Sequence, residues 1–120
     1  QLMHTVRFNL KLKKLPNKNS INEYIEANPF VSSTSKFDSN SVFELGRRYS
    51  AYGRLFSHAI INSNNLLIDE QDQRIKGWAF IPQEGNTILS TIHAFLIQTK
   101  NVDHQSILDK LTLELIHPKW

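Results

Sequence analysis

From His4 to Leu15 the chain alternates, with Val6, Phe8, Leu10 and Leu12 on one side and Arg7, Asn9, Lys11 and Lys13 on the other. That two-residue period predicts a half-buried strand. Pro16, Asn17 and Asn19 close it. Ser20 to Glu23 then reads as a capping box, opening a short helix that runs to about Asn28, where Pro29 forbids continuation. Residues 32–41, SSTSKFDSNS, hold few apolar positions and predict a connecting loop.

A second capping box, Ser41 to Glu44, precedes a longer pattern. Val42, Leu45, Tyr49, Tyr52, Phe56 and Ala59 recur at spacings of three and four, which predicts a helix over 42–61. Gly46 and Gly53 weigh against it, at about 1 kcal/mol each relative to alanine, and the rival is a hairpin turning at 51–53. Six positions on one stripe decide for the helix.

Beyond a polar turn at 62–65, Leu66 to Asp69 and Gln73 to Ile81 flank a short polar connection, the pattern of a hairpin. Pro82 to Asn86 makes the next turn. TILSTIHAFLI, residues 87–97, has helical spacing through Ile88, Ile92 and Phe95, but its β-branched content and the turn before it favour a third antiparallel strand. Asp103 caps a last helix, with Val102 placed to staple against Ile107 and an apolar stripe of Ile107, Leu108, Leu111 and Leu115 running towards Pro118. A short strand over 111–116 is the alternative there.

Strand, helix, helix, three strands and a helix define an α+β protein. The expectation is a mainly antiparallel sheet with helices on one face, a two-layer sandwich, with βαββαβ as the neighbouring arrangement. A length of 120 residues with 40% hydrophobic content fits one compact domain over 1–120.

The absence of cysteine removes disulfides, thiolate metal sites and a cysteine nucleophile. No apolar run approaches the ~20 residues of a spanning helix. Together with a Met3 that reads as a natural start after two extra residues, this favours a soluble, cytoplasmic protein. Lys and Arg outnumber Asp and Glu by 14 to 11, a formal charge of +3, which permits an anionic partner without demanding one.

The candidate chemistry follows the strand pattern. In RIKGWAF, residues 74–80, Ile75, Gly77 and Ala79 fall on one face and Arg74, Lys76, Trp78 and Phe80 on the other. If this strand neighbours the first, Arg7, Lys11, Lys13, Arg74 and Lys76 gather beside Trp78 and Phe80. Cations that neutralise phosphates beside rings that stack on bases are the means of binding single-stranded nucleic acid. The plainer reading is that the aromatics pack under a helix while the cations line its edges. On the expected long helix, Arg47, Arg54 and His58 share one side, with Arg48 nearby, and would extend such a surface or simply face solvent.

Catalytic signatures are missing. Glycines at 46, 53, 77 and 85 cannot write a phosphate loop, and no nucleophile elbow, zinc-ligand spacing or EF-hand is present, so no metal or cofactor is called for. His58 and His93 are the candidates for acid/base work in a metal-independent nuclease. The leading expectation is a non-catalytic binding module for RNA or single-stranded nucleic acid. The alternative is a protein-interaction subunit, such as an inhibitor, immunity-type protein or assembly adaptor, anchored by Tyr49, Tyr52, Trp78 and Trp120. The nuclease comes third.

Overall fold

The structure, a computed structural model, describes residues 3–28, 30–49, 54–83, 86–99 and 103–115. In chain order these form β1 (Met3–Lys11), α1 (Lys18–Ala27), β2 (Val31–Thr34), α2 (Ser39–Tyr49), β3 (Ala59–Asn62), a 3-10 turn (Ser63–Asn65), β4 (Leu67–Asp69), β5 (Arg74–Pro82), α3 (Asn86–Gln98) and α4 (His104–Leu115). The protein is α+β, with a five-stranded, mostly antiparallel open sheet and four helices among the described residues.

The sheet is organised around β5. β1 pairs with it antiparallel along its whole length, from Met3 opposite Pro82 to Lys11 opposite Arg74. On its other edge β4 lies beside the first part of β5 and β3 beside the second, both antiparallel. β2 completes the sheet by running parallel to β3. Parallel neighbours need a crossover, and α2 supplies it.

The two faces follow from register, since residues directly opposite share a face. One face carries Phe8, Ile61, Ile68 and Ile75, and α1 closes over it with Ile21 and Ile25. The other carries Met3, Ile60 and Phe80, and there Val42 and Phe43 of α2 meet Leu55. The helices are thus shared between the faces instead of lying on one. α3 and α4 pack on each other, and Leu89, Leu111 and Leu115 gather around Phe56 and Phe30.

Several elements differ from the sequence expectation. The 32–41 segment holds β2 and the start of α2, because Ser32 and Thr34 are fully buried strand residues despite their hydroxyls. α2 stops at Tyr49, and the stripe that suggested a longer helix continues through Phe56, in an irregular segment, and Ala59, the first residue of β3. Residues 87–97 lie in α3: Leu89 and Leu96 are buried seven positions apart while Ile88, Ser90, Thr91, Ala94 and Phe95 are exposed, a pattern set by the helical period and not by β propensity. With β2 added and that strand lost, the order departs from βαββαβ.

The caps also shift. Asn17, not Ser20, caps α1, its Oδ1 accepting from Ser20 N at 2.8 Å. Asp38 Oδ1 likewise accepts from Ser41 N at 2.8 Å at the start of α2. α4 opens as expected, the Asp103 carbonyl accepting from Ile107 N at 3.1 Å, whereas Val102 and residues 116–120 lie outside the described residues. Among the described residues no helix is long and apolar enough to cross a membrane.

Candidate nucleic-acid interface

The pairing of β1 with β5 places the candidate residues on one face. Arg7 is opposite Trp78, Asn9 opposite Lys76, Lys11 opposite Arg74 and Thr5 opposite Phe80. From Thr5 to Lys11 this ladder extends about 20 Å at a strand's rise per residue. Its two ends differ. Phe80 is buried at 2% exposure among the side chains beneath α2, whereas Trp78 keeps 41% of its surface exposed. Lys13 lies just past β1 in a bend, exposed.

The cations do not all stand free. Lys76 Nζ lies 2.8 Å from Asp69 Oδ2, on the neighbouring strand β4. Arg74 Nη1 donates to Asn9 Oδ1 at 3.2 Å. The Lys76 hydrogen bond, followed by one from Asp72 N–H, holds the Asp69 carboxyl below the usual carboxylate range. Along the ladder, Asp69 therefore offsets one of four positive charges, those of Arg7, Lys11, Arg74 and Lys76.

Beside Trp78 the face opens into a groove of about 270 Å³ lined by Thr5, Phe37, Asn62, Asn65, Trp78 and Phe80. Phe37 is 68% exposed and comes from the segment between β2 and α2. Buried Asn62 fixes that segment. Its Nδ2 donates to the Lys36 carbonyl at 2.7 Å, while its Oδ1 accepts from Asn64 N and Asn65 N at 3.1 and 3.2 Å. Ser63 Oγ adds a bond to the Thr34 carbonyl at 3.2 Å. The 3-10 turn and the Phe37 segment are thereby tied together, and two exposed aromatic side chains, Phe37 and Trp78, border one groove.

Phe37, Asn62 and Asn65 escaped the sequence reading. Asn62 belonged to a turn-like run and Phe37 to a polar segment, and long-range bonds such as that of Asn62 to Lys36 relate them. Arg47 and Arg54 do not join the ladder. The Arg47 guanidinium lies 5.4 Å over the Phe43 ring on α2, and Arg54 sits exposed in the irregular segment before β3. With α2 ending at Tyr49, the expected row of Arg47, Arg54 and His58 does not exist. Arg48 is exposed in the last turn of α2. Of the proposed aromatic anchors, Tyr52, Trp120 and the Tyr49 side chain lie outside the described residues.

His58 and His93 do meet, at a distance from the ladder. Both line a cavity of about 440 Å³ with Phe30, Leu89, Ile97 and Leu108. His58 is held three ways: its N–H donates to the Phe30 carbonyl at 2.8 Å, its ring stacks on Phe30 with centroids 5.0 Å apart, and its Nε2 lies 3.3 Å from Ser90 Oγ. Neither Arg47 nor Arg54 lines this cavity. Among the described residues no three His, Asp or Glu side chains group to hold a metal ion.

No family model matches the sequence, and no curated protein matches it.

Proposed function

We propose that the chain is a non-catalytic binding module for single-stranded nucleic acid, RNA foremost, which it takes along the open part of the β1–β5 face. The observation that carries this reading is the half-exposed Trp78 opposite Arg7, at the edge of a groove that Phe37 also borders. A base stacked there contributes about 1–3 kcal/mol by the usual worth of base–aromatic contacts. Phosphates of the same strand would follow Arg7, Lys11 and Arg74, adding a salt-dependent term.

The test is fluorescence anisotropy of short labelled single-stranded RNA and DNA, at low and near-physiological salt, with tryptophan emission read alongside. Expected are saturable, salt-sensitive binding, tryptophan quenching, and a loss of about ten- to hundredfold in affinity for Trp78→Ala. No binding at tens of micromolar protein in low salt removes the reading.

A second reading, a protein-interaction subunit, has one specific observation in its favour. α3 carries no Asp, Glu, Lys or Arg, yet Ile88, Phe95 and Ile97 are exposed on it. An apolar protein interface changes little with salt, so the same titration series performed with a candidate protein separates the two readings.

A further inference from the structure

The cavity between the Phe30–His58 pair and the facing sides of α3 and α4 has no part in nucleic-acid binding as proposed above. We infer that it is a binding site for a small organic acid with an apolar body, whose carboxylate is held by the imidazoles of His58 and His93.

The walls set the body of the ligand. Phe30, Leu89, Ile97 and Leu108 provide apolar surface, and a volume of about 440 Å³ falls within the range typical of small-molecule sites, ~300–1,000 Å³. The polar groups set its head. Among the described residues that line it there is no Asp, Glu, Asn, Gln, Lys or Arg, and the side chains with polar groups are His58, His93 and Ser90. Among these described residues a cation would find no counter-charge. The two imidazoles also lack the third ligand of a metal-holding group among the described residues.

Donors are available. No described residue hydrogen-bonds the His93 ring, and His58 commits only Nε2, to Ser90 Oγ, leaving Nδ1. Even a neutral imidazole offers one N–H. Two such donors, with no guanidinium or ammonium among the described lining residues, suit a singly charged head with two oxygens better than a phosphate, which is best met by arginine forks or many N–H groups.

The site is also built before a ligand arrives. Stacking on Phe30, the backbone bond to Phe30 and the Ser90 contact fix the His58 ring on one wall. His93, three residues after Ser90, lies on the adjoining side of α3. A donor preset at His58 above apolar walls reduces the ordering cost of binding.

The test compares 2-naphthoate with 2-naphthamide, which share a body and differ in the head. Titration calorimetry on the full chain is run at one fixed pH, with amide and imidazole chemical shifts recorded in parallel. The acid is expected to bind at least tenfold more tightly than the amide, with the largest shifts at His58, Ser90, His93 and Ile97 and none at Trp78. His93→Leu, which removes one donor, is expected to narrow the preference for the acid over the amide while amide binding stays unchanged, a split that general loosening of α3 does not produce. His58→Phe, which keeps a ring against Phe30 and removes the N–H, provides an independent check. Equal binding of acid and amide, shifts confined to the β1–β5 face, or no binding of the acid at millimolar concentration overturns the inference.

Discussion

Phe8 fills the space that a side chain at Gly77 would need. The two are register partners on β1 and β5, and a Cβ at position 77 would lie 2.6 Å from Phe8 Cζ and 3.0 Å from Leu66 Cδ2. An alanine would improve strand propensity by less than about 1 kcal/mol, but Phe8 and Leu66 belong to the cluster under α1 and have little room to withdraw. Overpacking of this kind costs about 1–3 kcal/mol, so Gly77→Ala is expected to lower stability in urea unfolding. Phe8→Ala removes the ring that Cβ would strike. The double variant should therefore be less destabilised than the sum of the two single variants. Strict additivity would refute the contact.

A second coupling joins β2 to the segment that leads into β3. Ser32 Oγ and Ser57 Oγ share a buried hydrogen bond, and each residue is at most 2% exposed. Removing the Ser32 hydroxyl leaves that of Ser57 poorly satisfied, at a cost of about 1–3 kcal/mol, whereas removing both leaves less polar surface stranded. Ser32→Ala should accordingly destabilise, and Ser32→Ala/Ser57→Ala should cost clearly less than the sum of the single changes in the same unfolding assay.

These hydroxyls also explain what the sequence concealed. β2 is paired in parallel through a crossover and buries Ser32 and Thr34, so neither composition nor alternation of apolar residues announced it. The 42–61 stripe persisted past the end of α2 because Phe56 is buried and Ala59 partly buried in other conformations, one irregular and one extended. Gly46, which weighed against that helix, sits inside α2 where a Cβ would run into buried Leu55 Cδ2, so close packing explains it. The hairpin of β4 and β5 and the two unlike faces of RIKGWAF were legible, because local pairing and a two-residue period determine them. Arg7 and Trp78 could be expected on one face only on the condition that β1 and β5 are neighbours, a long-range pairing that the two-residue period does not determine. Phe37 could not, since Asn62, 26 residues away from Lys36, brings that segment to the groove.

Stability should fall on acidification through two carboxylates. Asp38 is held below the usual range mainly by the backbone N–H of Ser41 and then by its hydroxyl; Asp69 is held there mainly by Lys76 and then by Asp72 N–H. For a group depressed in the folded state, the stabilisation is complete above its unfolded pKa, about 3.9 for Asp, and disappears as pH falls through the lower folded value. The unfolded chain binds the proton first. Urea midpoints measured from neutral pH downward should therefore decline below about pH 5, and Asp38→Asn/Asp69→Asn should be less stable at neutral pH with a flatter acid limb. An acid limb unchanged by both substitutions would rule out these two groups as its source.

Asp69 gives the most discriminating test of the proposed interface, because its charge opposes the ladder without belonging to the aromatic groove. Each phosphate neutralised by a protein cation on a single strand contributes about 0.7 to the slope of log affinity against log salt. Arg7→Ala should reduce that slope by roughly this amount and weaken binding mainly at low salt. Asp69→Asn should do the reverse: with its ion pair at 2.8 Å removed, Lys76 is released for phosphate, so affinity at low salt and the slope should both rise. Phe37→Ala separates stacking from charge. It should weaken binding at every salt concentration and leave the slope unchanged, because the ring neutralises no phosphate. If Asp69→Asn leaves both slope and affinity as they were, nucleic acid does not run past Lys76, and the ligand path must leave the sheet face before it reaches the β4 edge.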